Sequence, residues 1–278
     1  MASGMWTAVS GASAQAQRLD TIANNLANAD SNGFKKDATT FKEYLATVER
    51  DKHAQDIPRG AIKDKDFYQL DGRDNAAVLT HGTHTIFEQG SLKSTNHQLD
   101  IALDGPGFLE VSTPYGVMYT RFGNLKIAQD GRLITTDGLP LLADKPGGIN
   151  SNSTDPAARF INIRDHGLRF SINAQGEIYS GENLVAKLSI VEFKDKNHLK
   201  KVGMHLFEEK KTPKIPQDNK LQSPNTIVRQ GYIETSNVNP IEEMANMIKA
   251  NRLFEQDMKA LKTYGELMGK EANDIGKL

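Results

Sequence analysis

The sequence predicts an α+β protein: long N- and C-terminal helices packing as a coiled-coil-like α layer, with a mainly antiparallel β domain between them. Two observations lead there. Each end of the chain carries an apolar stripe at helical spacing, and the middle breaks into short β-type runs separated by turn residues.

At the N-terminus, Met5, Val9, Ala12, Ala16, Leu19, Ala23 and Leu26 recur at alternating steps of four and three, the seam of a helix that packs in a bundle. Ser3 is the candidate N-cap. The run Ala29-Asp30-Ser31-Asn32-Gly33 is a helix stop followed by a turn, so the helix should span about 36 Å at 1.5 Å per residue. Its seam is poor in large side chains: Ala12, Ala16 and Ala23 allow close approach, while Leu19, Ile22 and Leu26 supply most of the buried area.

Residues 1–49 are therefore read as a helix with its following turn, and residues 50–77 as an extended connector. The connector is charged and broken by Pro58, Gly60 and Gly72, with Phe67, Tyr68 and Leu70 as apolar anchors. Its Asp64, Asp66 and Asp71 lack the ligand spacing of an EF-hand loop.

Residues 78–230 form the expected β domain. Its runs are Thr83 to Glu88, Leu99 to Leu103, Phe108 to Ser112, Met118 to Phe122, Leu125 to Ala128, Leu133 to Thr135, Phe160 to Ile163, Arg169 to Asn173, Glu177 to Ser180 and Ala186 to Phe193. Turn signals such as Asp104-Gly105-Pro106-Gly107, Asp137-Gly138 and Ala174-Gln175-Gly176 separate them. Short strands at this spacing, without helical crossovers between them, predict an antiparallel barrel-like or sandwich core.

Residues 231–278 hold the second helix. Asn239 caps it, Pro240 fits the first helical position, and Glu242 completes a capping box; the helix should run about 45 Å to near Gly269. Its stripe is Met244, Met247, Asn251, Phe254, Met258, Leu261, Gly265 and Met268. Four of these are methionines, whose adaptable side chains fit an interface between copies as well as a plain core. Asn251 is the polar interruption that commonly fixes register in a bundle.

Composition narrows the function. With 38% apolar and 25% charged residues the chain can bury a core, and a formal net charge of -1 argues against a nucleic-acid partner. The Lys194 to Lys201 and Lys210 to Lys214 clusters read as solvated loops and edges. The absence of cysteine excludes disulfides, Cys-ligated zinc and Cys nucleophiles. Met1 to Asn28 lacks the continuous apolar stretch of a cleavable signal peptide, and no run approaches the ~20 apolar residues of a bilayer span.

Chemistry finds little support in the residues. His81 and His84, the close histidine pair, would point to opposite faces of a strand, and no metalloprotease, nucleophile-elbow or phosphate-loop motif is present. Asp104-Gly105-Pro106-Gly107-Phe108 has the glycines of a dinucleotide loop, but Pro106 lacks an amide donor and no helix follows. Asn152-Ser153-Thr154 is a formal glycosylation sequon. No catalytic, cofactor-binding or metal-binding residue is assigned, and no cofactor is expected.

Several stretches resemble one known family. Trp6-Thr7-Ala8, then Asn24-Asn25-Leu26-Ala27-Asn28 and Asn32-Gly33-Phe34-Lys35, are similar to the N-terminal signature of flagellar axial proteins of the rod and hook. Gln89-Gly90-Ser91-Leu92, the stretch from Leu99 through Gly105, Gly107 and Phe108, and Tyr119-Thr120-Arg121-Phe122-Gly123-Asn124 resemble that family's core motifs. Gln230-Gly231, Ile233-Glu234 and Ser236-Asn237-Val238, followed by Glu242-Glu243-Met244, resemble its C-terminal signature. Within the family the likeness is greatest to basal-body rod members, the proximal type before the distal. The chain departs from the pattern at Ala12, where a larger apolar residue is common, and in the charged connector.

The resemblance implies a structural subunit, not an enzyme. It would pass unfolded through the flagellar type III export apparatus and polymerise in the periplasm into a hollow helical rod that transmits torque to the hook. Its partners would be copies of itself, neighbouring rod proteins, hook-side rod and surrounding ring proteins, with no nucleic acid and no membrane insertion. The terminal helices would line the channel, the connector would staple neighbours, and the β domain would face outward. A ligand-binding module with helical oligomerisation ends is the alternative class.

Overall fold

The computed structural model describes residues 2–46, 75–144, 156–163, 170–210, 219–221 and 225–275. Residues 50–74 of the expected connector, with its three aspartates, and the Asn152 sequon lie outside them, while its last three residues, 75–77, begin a strand. The chain forms two compact units, each assembled from separate stretches: Met1–Asn24, Ala38–His84 and Ile241–Leu278 make the first, Asn25–Asp37 and Thr85–Pro240 the second.

The first unit holds most of helix α1 (Ala2–Ala27), most of the paired strands β1 (Asp37–Ala46) and β2 (Asn75–Thr85), and helix α2 (Pro240–Ile275) beyond its first residue. The stop signal after Asn28 and the Asn239-Pro240 start mark the inner ends of both helices within a residue. Ser3 lies inside α1 instead of capping it, and α2 runs on past Gly269. Residues 37–46, for which the sequence carried no strand expectation, pair with β2.

Small residues bring the two helices together. A methyl group added at Gly4 would lie 2.8 Å from the Tyr264 hydroxyl, and one at Gly11 would lie 3.1 Å from the Asp257 carboxylate. Seven residues forward on α1 match seven back on α2, so the helices run antiparallel at these contacts. Ala250, seven residues before Asp257, is fully buried.

Gly265 and Gly269 leave α2 unbroken, and nothing stands within 4 Å of a methyl group added at either. Gly265→Ala should therefore raise the stability of this helix by roughly 0.5–1 kcal/mol, through the lower backbone entropy of alanine in the unfolded chain. Thermal unfolding followed by circular dichroism checks it; an unchanged or lower midpoint would show that the position meets an unrecognised constraint.

The second unit is built from short antiparallel strands. A five-stranded sheet has the order β12 (Ile190–Val191), β5 (Phe108–Thr113), β6 (Gly116–Thr120), β14 (Leu206–Glu209), β13 (Leu199–Val202). Its alternating side chains fill two cores. Leu109, Val111, Met118 and Ile190 join a large aliphatic cluster with Leu133, Leu141, Ile161, Ile163, Ile178 and Leu188. Phe108, Tyr119, Val191, Leu199 and Phe207 join Phe193 in an aromatic cluster, where the Tyr119 and Phe193 rings meet edge to face at 4.8 Å. The sheet is thus covered on both faces, which is why four successive residues of β5, from Phe108, are all buried.

Around this sheet stand β7 (Leu125–Ile127) with β8 (Leu133–Thr135), and β9 (Ser171–Ile172), β10 (Glu177–Ser180) and β11 (Asn183–Lys187) in a three-stranded sheet. The run from Phe160 to Ile163 makes isolated bridges to Leu142 and Arg132 instead of a strand. Part of the Lys194 to Lys201 cluster, read from the sequence as solvated, begins edge strand β13, where Leu199 is buried and Lys201 pairs with Asp37 at 3.0 Å. Two further pairs use the chain's late residues: β4 (Ile101–Asp104) with β15 (Ile227–Gln230), and β3 (Leu92–Ser94) with β16 (Tyr232–Glu234).

Candidate functional site

The stretches that set this sequence apart meet at one buried polar cluster in the second unit. After α1 the chain reverses at Asn32-Gly33, where Gly33 takes φ +68° and a methyl group would sit 2.9 Å from the Arg121 backbone carbonyl. Only glycine meets both demands. The Asn32 side-chain amide donates to Asn124 Oδ1 at 2.8 Å, and the Asn124 amide donates on to Asp100 Oδ1 at 3.0 Å.

Two other asparagines act as substitutes for strand backbone. Asn25 Oδ1 accepts from the Asp37 amide at 3.0 Å while its Nδ2 donates to the Asp37 carbonyl at 2.8 Å. Asn237 Oδ1 accepts from the Lys36 amide at 2.8 Å, and its Nδ2 donates to the Ile86 carbonyl at 2.9 Å. An isosteric carboxylate would lose the donor half of each pair.

At the centre lies Glu234 on β16. Its Oε1 accepts from Lys35 Nζ at 2.6 Å and from the Gly90 amide at 2.9 Å; its Oε2 accepts from Arg121 Nη1 at 3.1 Å. Lys35 also donates to the Glu88 carbonyl, and Arg121 Nη2 to the Gly105 carbonyl. The Arg121 guanidinium rests over the Phe108 ring, 5.0 Å from its centre. All three charged residues are at most 2% exposed. Burial pulls the Lys35 ammonium below its ordinary lysine value, an effect Glu234 opposes.

Nearby, Lys201 Nζ sits 3.6 Å from the centre of the Phe34 ring and donates to the Lys35 carbonyl at 2.7 Å. The Gly107 amide donates to Thr226 Oγ1 at 2.8 Å, and that hydroxyl donates to Glu192 Oε1 at 2.6 Å. Lys35, Arg121 and Lys201 each donate to internal acceptors. The arrangement clamps backbone segments to one another.

Among the quoted motif residues, Asn25, Asn28, Gly33, Phe34, Gly107, Phe108, Ser236 and Val238 are buried around this clamp or its approaches; Leu26, Gly105, Gln230, Gly231 and Asn237 are half-buried, and Asn24 and Ala27 are exposed. Lys35, Arg121 and Glu234 were not singled out from the sequence, although they stood inside the quoted stretches. Each stands beside a large apolar residue, in Phe34-Lys35, Arg121-Phe122 and Ile233-Glu234, two cations against one carboxylate, a local pattern that does not by itself mark their meeting.

The helical stripes divide by burial in one protomer. Ala12 is buried; Met5, Ala16, Leu19, Leu26, Met247, Phe254 and Leu261 are half-buried; Val9, Ala23, Met244, Asn251, Met258, Gly265 and Met268 are exposed. Asn251 donates to Glu255 one turn on, at 3.3 Å. The contacts through Gly4, Gly11, Asp257 and Tyr264 run one residue before Met5, Ala12, Met258 and Gly265.

A second buried ionic group supports the sheet. Arg159 Nη2 pairs with Glu110 Oε2, which also accepts from Ser189 Oγ at 2.9 Å, and Lys220 lies 3.5 Å from Glu110 Oε1. Burial pushes the Glu110 carboxyl up, but Lys220 and Arg159 together hold it below its ordinary value of 4.5. A carboxyl so lowered contributes stability that is fully present above that ordinary value and is lost as pH falls through the folded-state value. Glu110→Gln should therefore flatten the acid limb of a plot of urea midpoint against pH. An acid limb unchanged in steepness would remove Glu110 from the account.

Comparison with known proteins gives three family matches in collinear order: the flagella basal body rod protein signature over residues 5–35, the flagellar hook protein FlgE/F/G D1 domain over 102–180, and the flagellar basal body rod FlgEFG protein C-terminal region over 229–275. The flagellar basal-body rod protein FlgG of Buchnera aphidicola from Acyrthosiphon pisum is 32% identical, covering 97% of this chain and 98% of its own. FlgG of Bacillus subtilis is 29% identical over 98% and 99% of the two chains, and FlgF of Caulobacter vibrioides 28% identical over 94% and 93%.

Proposed function

The chain belongs to the flagellar basal-body rod protein family and is a structural rod subunit, not an enzyme; from that premise we propose that it polymerises into a hollow helical shaft passing torque from motor to hook. What supports this reading is the clamp at Glu234, which joins the stretch following α1 to the stretch preceding α2. The last residues of α1 and the first of α2 belong to the second unit, so the roots of both helices are fixed within it.

In the assembled rod the helices pack side by side and against neighbouring copies as a coiled-coil-like layer. The exposed apolar residues of α2, including Ile241, Met244, Ile248, Met258, Leu267 and Met268, are the surface for that contact. Gln15, Arg18, Asn24, Lys249 and Lys262 are among the polar residues facing the lumen, where a wet wall lets unfolded cargo pass. Neighbouring rod proteins, the hook-side rod, the surrounding rings and the type III export apparatus are its partners, and the periplasmic basal body its location. Relatives of both rod names align along nearly the whole chain; Arg252-Leu253-Phe254-Glu255 favours the proximal position and Trp6-Thr7-Ala8 the distal one.

Paired cysteines test the packing. The register of Gly4 with Tyr264 and Gly11 with Asp257 places Ala8 opposite Ala260, so Ala8→Cys with Ala260→Cys should crosslink within a single chain. Ala16 and Met258 lie out of that register, and cysteines there should join only when subunits are assembled. Crosslinking of the second pair in dilute monomer, or of neither pair in rods, would refute the arrangement.

A further inference from the structure

The clamp is completed by a stretch that arrives late in the chain. Residues 226–238 lie across the second unit as a strap. Strands β3 and β4 have β16 and β15 as their strand partners. The Thr95 amide donates to the Gly231 carbonyl at 2.8 Å, the Gly231 amide to the Asp100 carbonyl at 2.7 Å, and the Thr235 amide to the Ser91 carbonyl at 2.9 Å. The Gly33 amide donates to the Glu234 carbonyl at 2.8 Å. Thr226 takes the Gly107 amide at the strap's near end, and Asn237 takes Lys36 at the far end.

Charge makes the strap more than one strand among several. Among the described residues Glu234 is the carboxylate in ion-pair contact with Lys35 and with Arg121, which precede it by 199 and 113 residues. Until Glu234 seats, burying these two cations leaves both without a counter-charge, a strongly unfavourable state. The aliphatic core does not wait in the same way. Apart from Val228 its buried members come from residues 101–190, and the buried ion pair beside it, Arg159 with Glu110, is drawn from that same span and needs no residue of 226–238.

We propose that residues 226–238 are a closing strap, locked by Glu234, which joins 28–37 and 86–104 in one cooperative step after the aliphatic core has formed. A chain that emerges N-terminus first holds the root of α1 unlocked until residue 234 is present. The last residues of α1 are thereby fixed only once residue 234 has been made, which suits a subunit whose two helices must be displayed together.

Pulse-labelled hydrogen exchange during refolding of the full chain tests the order. The Leu133, Leu141 and Ile163 amides, bonded within the core, should gain protection first, and those of Gly33, Gly90, Gly231 and Thr235 later and together. In the native protein Glu234→Gln should speed exchange at all four strap amides at least about tenfold while leaving the three core amides unchanged, because a shared opening exposes them as a unit. Thr226→Val, at the other end of the strap, should speed Gly33 as well. Strap amides protected with or before the core would overturn the proposal. So would an effect of Glu234→Gln confined to Gly90, or an effect of Thr226→Val confined to Gly107; if Glu234→Gln does not fold, the Thr226→Val result decides alone.

Discussion

Glu234→Leu should be the most damaging single substitution in the second unit, costing about 3–5 kcal/mol in urea unfolding. The cause is not the loss of an attractive pair taken alone. Lys35 and Arg121 are at most 2% exposed, so removing the carboxylate leaves two buried cations whose remaining side-chain acceptors are neutral carbonyls of Glu88 and Gly105. Against a typical total stability of about 5–15 kcal/mol, that loss is a large share. Replacing all three members at once, as Lys35→Met, Arg121→Leu and Glu234→Leu, should recover most of it, since a well-packed apolar trio avoids desolvating charge. A single Glu234→Leu variant within about 1 kcal/mol of the parent would show that water or rearrangement relieves the cations. If the trio proved as unstable as the single variant, packing would be the stronger cause.

How far the fold was legible depended on whether its signal was local. Asn239-Pro240 and the Ala29 to Gly33 stop are local, and they marked helix ends to within a residue. Strands β8 and β10 were read from their bounding turns, with the same limits that the structure shows. Strand β1 carries no apolar alternation, since Asp37-Ala38-Thr39-Thr40 is polar or small, and only its distant partner β2 makes it a strand. Leu199 and Phe207 were hidden by flanking lysines and glutamates, yet both enter the aromatic core.

The candidate site was legible as motifs and not as chemistry. Glu234 follows Ile233 in a short strand, where a carboxylate ordinarily marks the solvent face. Its burial is decided by Lys35 and Arg121, far off in sequence, and nothing in the local pattern records that meeting. The helical period was legible in both stripes. The intrachain contact lies one residue to the side because Gly4 and Gly11 have no hydropathy to report and Asp257 is charged, so the closest approach in the pair is made by residues that a hydrophobic pattern passes over.

Removal of residues 241–278 should abolish rod assembly and leave the second unit folded. The clamp explains the second half of this expectation: Glu234, Asn237 and Val238 all precede the cut, so Lys35 and Arg121 keep their carboxylate and Asn237 still holds the Lys36 amide. The two cores of the second unit also lie entirely before residue 241. Helices behave otherwise, because isolated helical segments in water are marginal and draw most of their stability from packing. Without α2, Gly4 and Gly11 of α1 lose Tyr264 and Asp257, and the exposed methionine surface is gone. The truncated chain should keep the near-ultraviolet circular dichroism of its aromatic cluster and a cooperative thermal transition, while cells relying on it lose rods by electron microscopy and lose motility. Rods built from the truncated chain would refute the role given to α2; loss of the aromatic signal would instead show that the second unit depends on the helix as well as on the strap.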